Sequence, residues 1–419
     1  MANIELRYGN SPINFEYDEN RFQVLGSKSQ ESILTDAEIG ERLDNPIDSK
    51  PLEEIVSPNE TVLIVVPDAT RATASGQMTN LIVRRLIANG TQPHEITCIF
   101  STGIHRAVTE DEKRELLTPF IYQRIKHLDH EARNLANIIK LGETKSGIPI
   151  EINRAVREHD HIILIGGITF HYFAGFSGGR KLICPGLASS RTVSETHKLA
   201  FDFQQKTRRE GVGLGVLDGN AVHEGFMEVV EKINPTFCVS TFTTAKGEAT
   251  RVFAGNWKTS HRVACDEYLK ENSVEITEKR DVVIVSCGGA PSDINMIQAH
   301  KAFEMASHAC TDGGTIIWLA ECADGLGRSD FLKWFEAENS AGLAEKLCES
   351  YQVNGQTAWS LLKKAERFNT QIVTALPENE TRQMRLQKAS SFDEAISAIS
   401  KDATGYILPF GSKFLIQGN

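Results

Sequence analysis

The chain has 419 residues, of which 41% are hydrophobic and 24% are charged. This length exceeds what one hydrophobic core usually serves, and the composition is typical of a packed globular protein, so we expect two domains. A formal net charge of −10 disfavours binding to nucleic-acid phosphates or anionic lipid. No apolar run could span a membrane and the first ten residues lack an apolar signal core, so we expect a cytoplasmic protein.

Short apolar runs alternate with segments of helical periodicity along the whole chain. Runs that are apolar throughout are typical of strands buried on both faces of a parallel sheet, and their alternation with helices predicts βαβ units. The sequence therefore predicts an α/β fold with mainly parallel sheets. The predicted strands are residues 61–66, 96–101, 161–167, 212–217, 237–242, 281–286, 314–320, 370–376 and 404–409.

Three helix signals support this interpretation. Residues 75–88 carry apolar side chains at helical spacing and end at Asn-Gly, Thr109 with Glu112 has the spacing of a capping box, and Ser292 opens a candidate helix after a proline. We therefore expect helices to start at or near these positions.

A charged stretch at residues 267–280 separates two groups of predicted strands and marks the expected domain boundary. We expect an N-terminal cofactor-binding and catalytic domain at 1–272 and a smaller α/β domain at 280–403 that closes over the site. Residues 404–419 could pack back on the N-terminal domain. A cofactor and substrate cleft between the two domains is the natural expectation.

Polar side chains follow several predicted strands at the point where each strand ends. In open α/β sheets, ligands bind beyond the carboxyl ends of the strands, so these side chains are candidates for a binding site. The turns read PDATRATAS, TGIHRAVT, ITFHYFAGFSGGRK and CGGAPSDINMIQAHK. They supply Asp68 and Arg71, His105 and Arg106, His171 and Lys181, and Gln298 and Lys301.

Most of these residues have a second, structural interpretation. Asp68 could cap the helix that follows it, whereas Arg71 could be a surface cation, although its planar guanidinium suits a substrate carboxylate. Gln298 and Lys301, three residues apart on a predicted helix, fit either a solvated face or a ligand-binding face. Their position behind a glycine turn favours the ligand-binding face.

The histidines divide into two groups. His105, His171 and His197 lie near strand ends or the glycine-rich turn, and such clustering favours a functional role. His127 and His130 are better explained as exposed helix residues on pattern alone. The others are expected to be structural: His94, His159, His161, His223, His261, His300 and His308.

The loop GFSGGRK does not match a Walker phosphate loop, which requires glycine before the lysine and Ser or Thr after it. Here Arg180 precedes Lys181 and a leucine follows it. The glycines still allow the backbone close to a bulky ligand, and Arg180 could meet a single phosphate. The loop therefore indicates a phosphorylated cofactor other than a nucleoside triphosphate.

The motifs DATR, GIHR with TEDE, H-x-x-AGFSGG-x-K with PG following, TH and Q-x-x-K occur in this order through nearly the whole chain. Each motif is weak alone, but their order and spacing together are specific. On these motifs the chain resembles the nickel-pincer-dependent lactate racemase family. The resemblance implies an isomerase, a racemase or epimerase that inverts C2 of a 2-hydroxy acid.

The resemblance also implies a cofactor. Members of the family carry a nickel-pincer nucleotide, pyridinium-3,5-bisthiocarboxylic acid mononucleotide nickel, which binds nickel through sulfur, carbon and sulfur. By motif, Lys181 would hold it covalently through a thioamide, and Ser177, Gly178, Gly179 and Arg180 would surround it. Dedicated biosynthesis enzymes would load the cofactor, and an oligomer is compatible with the sequence.

Catalytic roles follow from the same match. His197 corresponds to the fourth nickel ligand, and imidazole suits nickel as a donor. His105 and His171 correspond to the acid and base pair: one takes the hydroxyl proton while hydride leaves C2 for the pyridinium ring, and the other serves the opposite face. The intermediate would be a planar 2-oxo acid.

The match assigns substrate-binding residues as well. Arg71 corresponds to the residue that binds the substrate carboxylate and Asp68 to its neighbour, while Gln298 and Lys301 correspond to second-domain residues that close over the substrate. His130 corresponds to a histidine of a cofactor-binding Asn-His-Asp element, which reads Asp-His-Glu in this chain.

Two positions depart from the lactate-active pattern. Arg180 stands in place of a third glycine, and Ile297 precedes Gln298 where an aromatic residue would line a lactate pocket. The departures extend the expected substrates to longer 2-hydroxy acids, such as aldonates or hydroxy-dicarboxylates, because a changed pocket wall alters fit without altering the chemistry. Cys184, near the lysine, is expected to be a packing residue.

The sequence disfavours two other functions. A nicotinamide-dependent dehydrogenase is disfavoured because no G-x-G-x-x-G turn follows the first predicted strand. A non-catalytic carboxylate- or nucleotide-binding protein of the same fold is disfavoured because simple binding requires neither an acid and base pair nor a metal ligand.

Overall fold

The structure is a computed structural model that describes residues 1–26, 32–70, 73–244 and 246–418. Contacts divide the chain into two compact units. The N unit comprises Gln30–Ala200 and Gly211–Tyr268. The C unit comprises Met1–Ser29, Phe201–Glu210 and Leu269–Asn419.

Helices and strands alternate along most of the described chain, as the apolar pattern predicts. The α-helices are α1 (Asp36–Asp44), α2 (Leu52–Ile55), α3 (Ser75–Ala88), α4 (Glu110–Arg124), α5 (Ser190–Lys198), α6 (Ala221–Glu231), α7 (Thr259–Asn272), α8 (Met296–Ala309), α9 (Ser340–Glu349), α10 (Val353–Arg367), α11 (Glu378–Gln383) and α12 (Phe392–Ser397). The strands of the N unit are β4 (Val62–Pro67), β5 (Ile96–Ser101), β6 (Lys126–Asp129), β7 (Ile138–Glu143), β8 (Pro149–Asn153), β9 (His161–Gly167), β10 (Phe170–His171), β11 (Gly175–Phe176), β14 (Phe237–Thr243) and β15 (Ala249–Gly255). The strands of the C unit are β1 (Ala2–Tyr8), β2 (Ser11–Tyr17), β3 (Phe22–Val24), β12 (Phe201–Asp202), β13 (Thr207–Arg208), β16 (Ser273–Ile276), β17 (Arg280–Ser286), β18 (Cys310–Leu319), β19 (Asn369–Val373), β20 (Gln387–Ala389), β21 (Gly405–Leu408) and β22 (Leu415–Gly418).

The N unit is built on a six-stranded sheet of order β15-β14-β9-β4-β5-β6. All neighbouring pairs are parallel except β14 and β15. The side chains of β4 are buried on both faces, which explains its unbroken apolar sequence. The chain leaves β4 toward β5 on one side and returns to β9 on the other, so a topological switch point lies between β4 and β9.

The C unit contains a second six-stranded sheet, of order β20-β19-β18-β17-β21-β3, in which every neighbouring pair is parallel. Trp318 of β18 and Phe303 of α8 stack with ring centroids 5.0 Å apart in its core. The α/β class with parallel sheets is therefore confirmed.

The contact-based division differs from the predicted domain boundaries. The first 29 residues belong to the C unit, because β3 forms the edge of its sheet beside β21. Residues 404–419 also belong there, since β21 inserts between β17 and β3 and β22 pairs with β16. Parallel pairing between strands nearly 400 residues apart, such as β3 and β21, produces no local sequence pattern from which it could be predicted.

Local predictions agree with the structure at most points. Helix α3 has the predicted bounds, and Thr109 caps α4 in a capping box with Glu112. Helix α8 begins at Met296 rather than near Ser292, because Asn295 provides the N-cap. The predicted strand at 212–217 is wrong: glycines alternate in VGLGVL, and these residues are irregular except for an isolated bridge between Leu214 and Gly175. In the described parts of the chain, no helix is both long and apolar enough to cross a membrane.

Candidate active site

The polar turns after β4, β5 and β9 lie at one edge of the N-unit sheet, because these three strands are parallel neighbours. This edge includes the switch point, where α/β sheets bind ligands. The turn after β5 is tied to the end of the glycine-rich loop, since the backbone N–H of Gly103 donates to the carbonyl oxygen of Gly186 at 2.9 Å. The fold therefore brings the predicted motifs of the N unit together.

Asp68 and His105 form a hydrogen-bonded pair at this edge. Nδ1 of His105 lies 2.7 Å from Oδ2 of Asp68, and the other carboxylate oxygen accepts from the backbone N–H of Thr70 at 3.0 Å. Asp68 is buried, whereas His105 is partly exposed. The alternative that Asp68 caps the next helix is wrong, because Ala74 occupies the N-cap of α3. Arg71 lies outside the described residues.

The ring of Phe173 links three of the predicted site residues. Its centroid lies 4.5 Å from the ring of His171, 5.0 Å from the ring of His197 and 5.7 Å from Nζ of Lys181. Phe226 of α6 contributes a second aromatic wall, 5.7 Å from the His197 ring and 6.0 Å from Nζ of Lys181. The lysine amine and the imidazole therefore share the same two aromatic neighbours.

The two buried histidines of this group each have one ring nitrogen engaged by the backbone. Nδ1 of His197 donates to the carbonyl oxygen of Val193 at 2.7 Å, one helical turn earlier in α5. Nδ1 of His171 accepts from the N–H of Ala174 at 3.3 Å. Burial, with a contribution from the charge of Lys181, lowers the pKa of His197 to about 3. His197 is therefore neutral, and its Nε2 carries a lone pair.

The glycine-rich loop packs too tightly for larger residues. Gly178 and Gly179 have φ values of 68° and 47°, and a Cβ on Gly179 would lie 2.3 Å from the His261 ring. The hydroxyl of Ser177 donates to the carbonyl oxygen of Gly167 at 2.7 Å and accepts from the N–H of Thr169 at 2.8 Å. The backbone N–H of Ser177 also donates to the carbonyl oxygen of Thr169 at 2.9 Å, so this residue closes the turn.

His130 has a different environment from the one expected. It follows strand β6 rather than lying on an exposed helix, and it is buried. Its Nε2 donates to the carbonyl oxygen of Ala188 at 3.0 Å, and Nδ1 accepts from the amide of Asn153 at 3.2 Å. Burial lowers the pKa of His130 to about 4. Because both nitrogens bond to protein, a direct role in holding a cofactor does not fit this geometry.

Arg180 is buried, and its side chain bonds to other groups of the protein. The side chain is 1% exposed, and its guanidinium donates to the carbonyl oxygens of Ala174 at 2.6 Å and Phe176 at 2.9 Å. Nε donates to Nδ1 of His223 at 3.0 Å. Arg180 therefore binds the backbone of its own loop, and its expected contact with a phosphate stays a prediction.

Gln298 and Lys301 lie in the C unit, on the first turns of α8. The Asn295 side chain accepts from the N–H of Gln298 at 3.0 Å, and Nζ of Lys301 donates to Oε1 of Gln298. Ile297, expected to line a substrate pocket, packs partly against the core of the C unit. The amide and the ammonium are thus presented together from one helical turn.

Sequence reasoning missed the residues that support the site. Phe173 lies within the quoted motif, so its aromatic character was a usable signal, whereas Phe226 has no motif around it. His223 and His261 were expected to be structural, and their contacts with Arg180 are consistent with that interpretation. Nothing in the local sequence indicates that both contact the same arginine.

Comparison with known families and proteins supports one assignment. A family model for the lactate racemase N-terminal domain matches residues 8–209, and a model for the lactate racemase C-terminal domain matches residues 276–407. Lactate racemase from Thermoanaerobacterium thermosaccharolyticum is 33% identical over 340 residues, covering 80% of this chain and 78% of that protein. Lactate racemase from Lactiplantibacillus plantarum is 31% identical over 335 residues, covering 79% and 77%.

Solved structures agree with this assignment. The lactate racemase apoprotein from T. thermosaccharolyticum superposes with a TM-score of 0.87 at 27% identity, covering 99% of this chain and 100% of that one. A Thermotoga maritima protein shares the fold, with a TM-score of 0.74 at 20% identity and coverage of 93% and 100%. The chain therefore belongs to the lactate racemase family of isomerases.

Proposed function

We propose that the protein is a racemase or epimerase that inverts C2 of a 2-hydroxy acid by reversible hydride transfer, with a nickel-pincer nucleotide attached to Lys181. The observation that carries the proposal is the arrangement around Phe173, whose ring contacts His171, His197 and the amine of Lys181. Acid-base, metal-binding and covalent attachment groups thus share one neighbour. Both curated relatives above are named lactate racemase.

The residues present fit this cofactor. A metal ligand must be neutral and must offer a lone pair, and Nε2 of His197 meets both conditions because Nδ1 is held by Val193 and burial lowers the pKa. The amine of Lys181 faces two aromatic rings, which suit a planar ring as neighbour. Gly178 and Gly179 would allow the backbone close to the nucleotide.

When bound, the nucleotide supplies an electron-poor carbon that accepts hydride from C2 of the substrate and returns it. The protein must then move one proton at the substrate hydroxyl in each direction. His105 donates from Nδ1 to Asp68, so its Nε2 is available as a base. Nδ1 of His171 accepts from the N–H of Ala174, and we assign proton transfer on the opposite face of the substrate to the Nε2 side of this ring.

Substrate contacts are part of the same proposal. Arg71 is assigned to the substrate carboxylate because a guanidinium binds carboxylates through two parallel hydrogen bonds. Asp68 supports His105 rather than acting alone. Gln298 and Lys301 offer an amide and an ammonium from one turn of α8, and both groups suit hydroxyl and carboxylate oxygens. The substrate class is 2-hydroxy acids, including ones longer than lactate.

A loading experiment tests the attachment site. The protein is produced together with cofactor-making enzymes of this family and with nickel, and intact mass and bound nickel are measured for wild type, Lys181→Ala and His197→Ala. We expect a mass increase for wild type that is absent from Lys181→Ala. For His197→Ala we expect the organic adduct with a reduced nickel content, because only the metal loses a ligand.

The matched control is Lys140→Ala, an exposed lysine in β7 that pairs with Glu143. It is expected to load like wild type. An adduct on Lys181→Ala, or no adduct and no nickel on wild type, would reject the proposal and favour a protein that binds a carboxylate or nucleotide without turning it over.

A further inference from the structure

We propose that Arg180 is a positioning residue, whose buried guanidinium fixes the loop between His171 and Lys181 from its inner side. The effect of Arg180 on activity rests on the function proposed above. The hydrogen bonds of Arg180 that support the inference are independent of that function. The loop contains both a predicted acid-base residue and the predicted attachment residue, so a shift of the loop would move both.

The donors of Arg180 bind the loop at consecutive points. One terminal nitrogen donates to the carbonyl oxygen of Ala174 at 2.6 Å, and the other donates to that of Phe176 at 2.9 Å and lies 3.4 Å from that of Ser177. These carbonyls lie in the segment that joins His171 to Lys181. Because the guanidinium is planar and rigid, its bonds fix the spacing of the carbonyls as well as their direction.

The loop needs such support because it contains little regular secondary structure. Regular pairing is limited to the two-residue strands β10 and β11. Gly175, Gly178 and Gly179 all have positive φ, and glycine loses more conformational freedom on ordering than any other residue. Contacts from outside the loop backbone must therefore hold it in one conformation.

Two histidines hold the guanidinium in turn. His223 of α6 accepts the Nε–H of Arg180 at 3.0 Å. Nε2 of His261 lies 3.2 Å from Arg180 and 3.0 Å from the carbonyl oxygen of Ser177, and the same ring blocks any side chain at Gly179. Burial and the charge of Arg180 lower the pKa of each histidine to about 3, so both are neutral.

The charge of Arg180 is not balanced by a carboxylate among the described residues that bond to it. Burial lowers its pKa only to about 10, so the group stays protonated at neutral pH. A buried cation normally pairs with an acid, whereas this one is satisfied by carbonyl oxygens and neutral imidazole. Such a set of acceptors suits a group whose task is to hold backbone.

The test compares Arg180→Lys, which keeps the charge but loses the planar fork, with Arg154→Lys, an exposed arginine paired with Glu158. Amide hydrogen exchange across residues 171–181 is measured by mass spectrometry on the apoprotein, together with the thermal midpoint. We expect exchange in this segment to rise about tenfold for Arg180→Lys, since one or two hydrogen bonds are lost. Exchange elsewhere in the N unit should change less, and the control should match wild type.

The same variants are then loaded with cofactor, and the rate of adduct formation at Lys181 is followed by intact mass. We expect Arg180→Lys to load on the order of tenfold more slowly, because misplacement of a reacting group by about 1 Å can cost up to a hundredfold. Wild-type exchange and wild-type loading would overturn the inference, as would an equal rise in exchange throughout the N unit.

A second pair of variants covers the case in which Arg180→Lys does not fold. His223→Ala removes the acceptor for Nε without touching the loop, whereas His223→Gln keeps an acceptor oxygen. We expect faster exchange in 171–181 for His223→Ala and recovery toward wild type for His223→Gln; identical exchange in both would contradict the role. If wild type carries no adduct at all, the proposed function fails, while the exchange comparison still decides whether Arg180 fixes the loop.

Discussion

Asp68 and the backbone of Ala174 give the two predicted acid-base histidines different support. The Asp68 carboxylate lies 2.7 Å from Nδ1 of His105 and fixes the orientation of its ring, whereas Nδ1 of His171 accepts a neutral N–H. A reaction that runs in both directions needs a base on either side of C2, but the two bases need not be equal. The structure therefore indicates that His105 depends on its partner more than His171 does.

Asp68→Asn tests this dependence. An amide can donate to Nδ1 of His105, which would move the imidazole proton to Nε2 and remove the basic lone pair. We expect kcat to fall on the order of a hundredfold, a typical loss when general acid-base catalysis is impaired. Racemisation is measured with chiral chromatography on the loaded enzyme, in both directions.

Thr70→Ser is the control for Asp68→Asn, because it keeps the hydroxyl that bonds the other carboxylate oxygen. Normal cofactor loading and an unchanged thermal midpoint are required, so that the loss reflects proton transfer alone. A kcat for Asp68→Asn within a factor of two of wild type would mean that the pair does not orient His105.

Single residues differ in how well the sequence predicted them. His171, Lys181 and His197 are brought together as the motifs indicated, because each motif follows a strand or lies in a helix at the same edge of the sheet. The roles of His130 and Arg180 could not be read from the sequence. Their partners Ala188, Asn153 and His223 are distant in the chain, and hydrogen bonds of that kind leave no spacing pattern.

At the level of elements, helix α8 owes its orientation to a buried ion cluster. Glu304 accepts from Lys364 of α10 at 2.6 Å and from Arg208 of β13 at 2.7 Å. Glu304 lies one turn after Lys301 and two turns after Gln298, so the cluster anchors the helix that carries both proposed substrate contacts. The cations hold the pKa of Glu304 well below its usual range.

Removing one partner of this cluster is expected to destabilise the C unit strongly. Lys364→Met removes one of the two cations that bond to Glu304, and we expect a loss of about 3 kcal/mol in the free energy of unfolding, as for other broken buried pairs. Urea unfolding is followed by fluorescence, because Trp318, Trp334 and Trp359 all lie in this unit.

A double-mutant cycle that combines Lys364→Met with Glu304→Gln measures the interaction energy between Lys364 and Glu304 apart from the other effects of each substitution. If the two groups interact directly, the double variant should be less destabilised than the sum of the single variants. Strict additivity would show that Lys364 does not stabilise the helix through Glu304. Lys363→Met, a neighbouring lysine that lies over the Trp359 ring, serves as the control.

The sequence predicted a strand or helix correctly where a single local pattern is enough to specify it. The strands β4, β5, β9 and β17 each contain a buried, mainly apolar run, and the interior of a parallel sheet requires that composition. The segment 212–217 has the same composition but alternates with glycine, which weakens a strand and permits turns. The wrong prediction shows that apolar content alone does not distinguish a strand from an irregular segment that is only partly buried.

For the molecule as a whole, the two units do not follow the order of the chain, because each is built from more than one segment. The C unit takes strands from both ends of the chain and a hairpin, β12 and β13, from the middle. One crossing between the units, after Tyr268, lies within the charged stretch at 267–280 that the sequence offered as a boundary. The other crossings depend on pairings such as β3 with β21, which composition cannot indicate.

Buried neutral histidines in both units make stability depend on pH. Burial lowers the pKa of His130 in the N unit to about 4 and that of His300 in the C unit to about 3. In the unfolded chain each would titrate near 6.5. Below that pH the unfolded state binds more protons than the folded state, so folding stability falls as pH decreases.

We therefore expect each of these histidines to contribute a slope of about 1.4 kcal/mol per pH unit between roughly pH 6 and pH 4.5. Urea unfolding of wild type is measured across this range, together with His130→Gln and His300→Gln. For each variant, the pH dependence of the free energy of unfolding should be weaker than in wild type by the contribution of the histidine removed, in the unit that contains it. His94→Gln, at an exposed position, controls for the loss of a histidine as such. A His130→Gln variant with the full wild-type slope would mean that His130 is protonated in the folded protein. That protonation would break its hydrogen bond with Asn153, because Nδ1 could no longer accept.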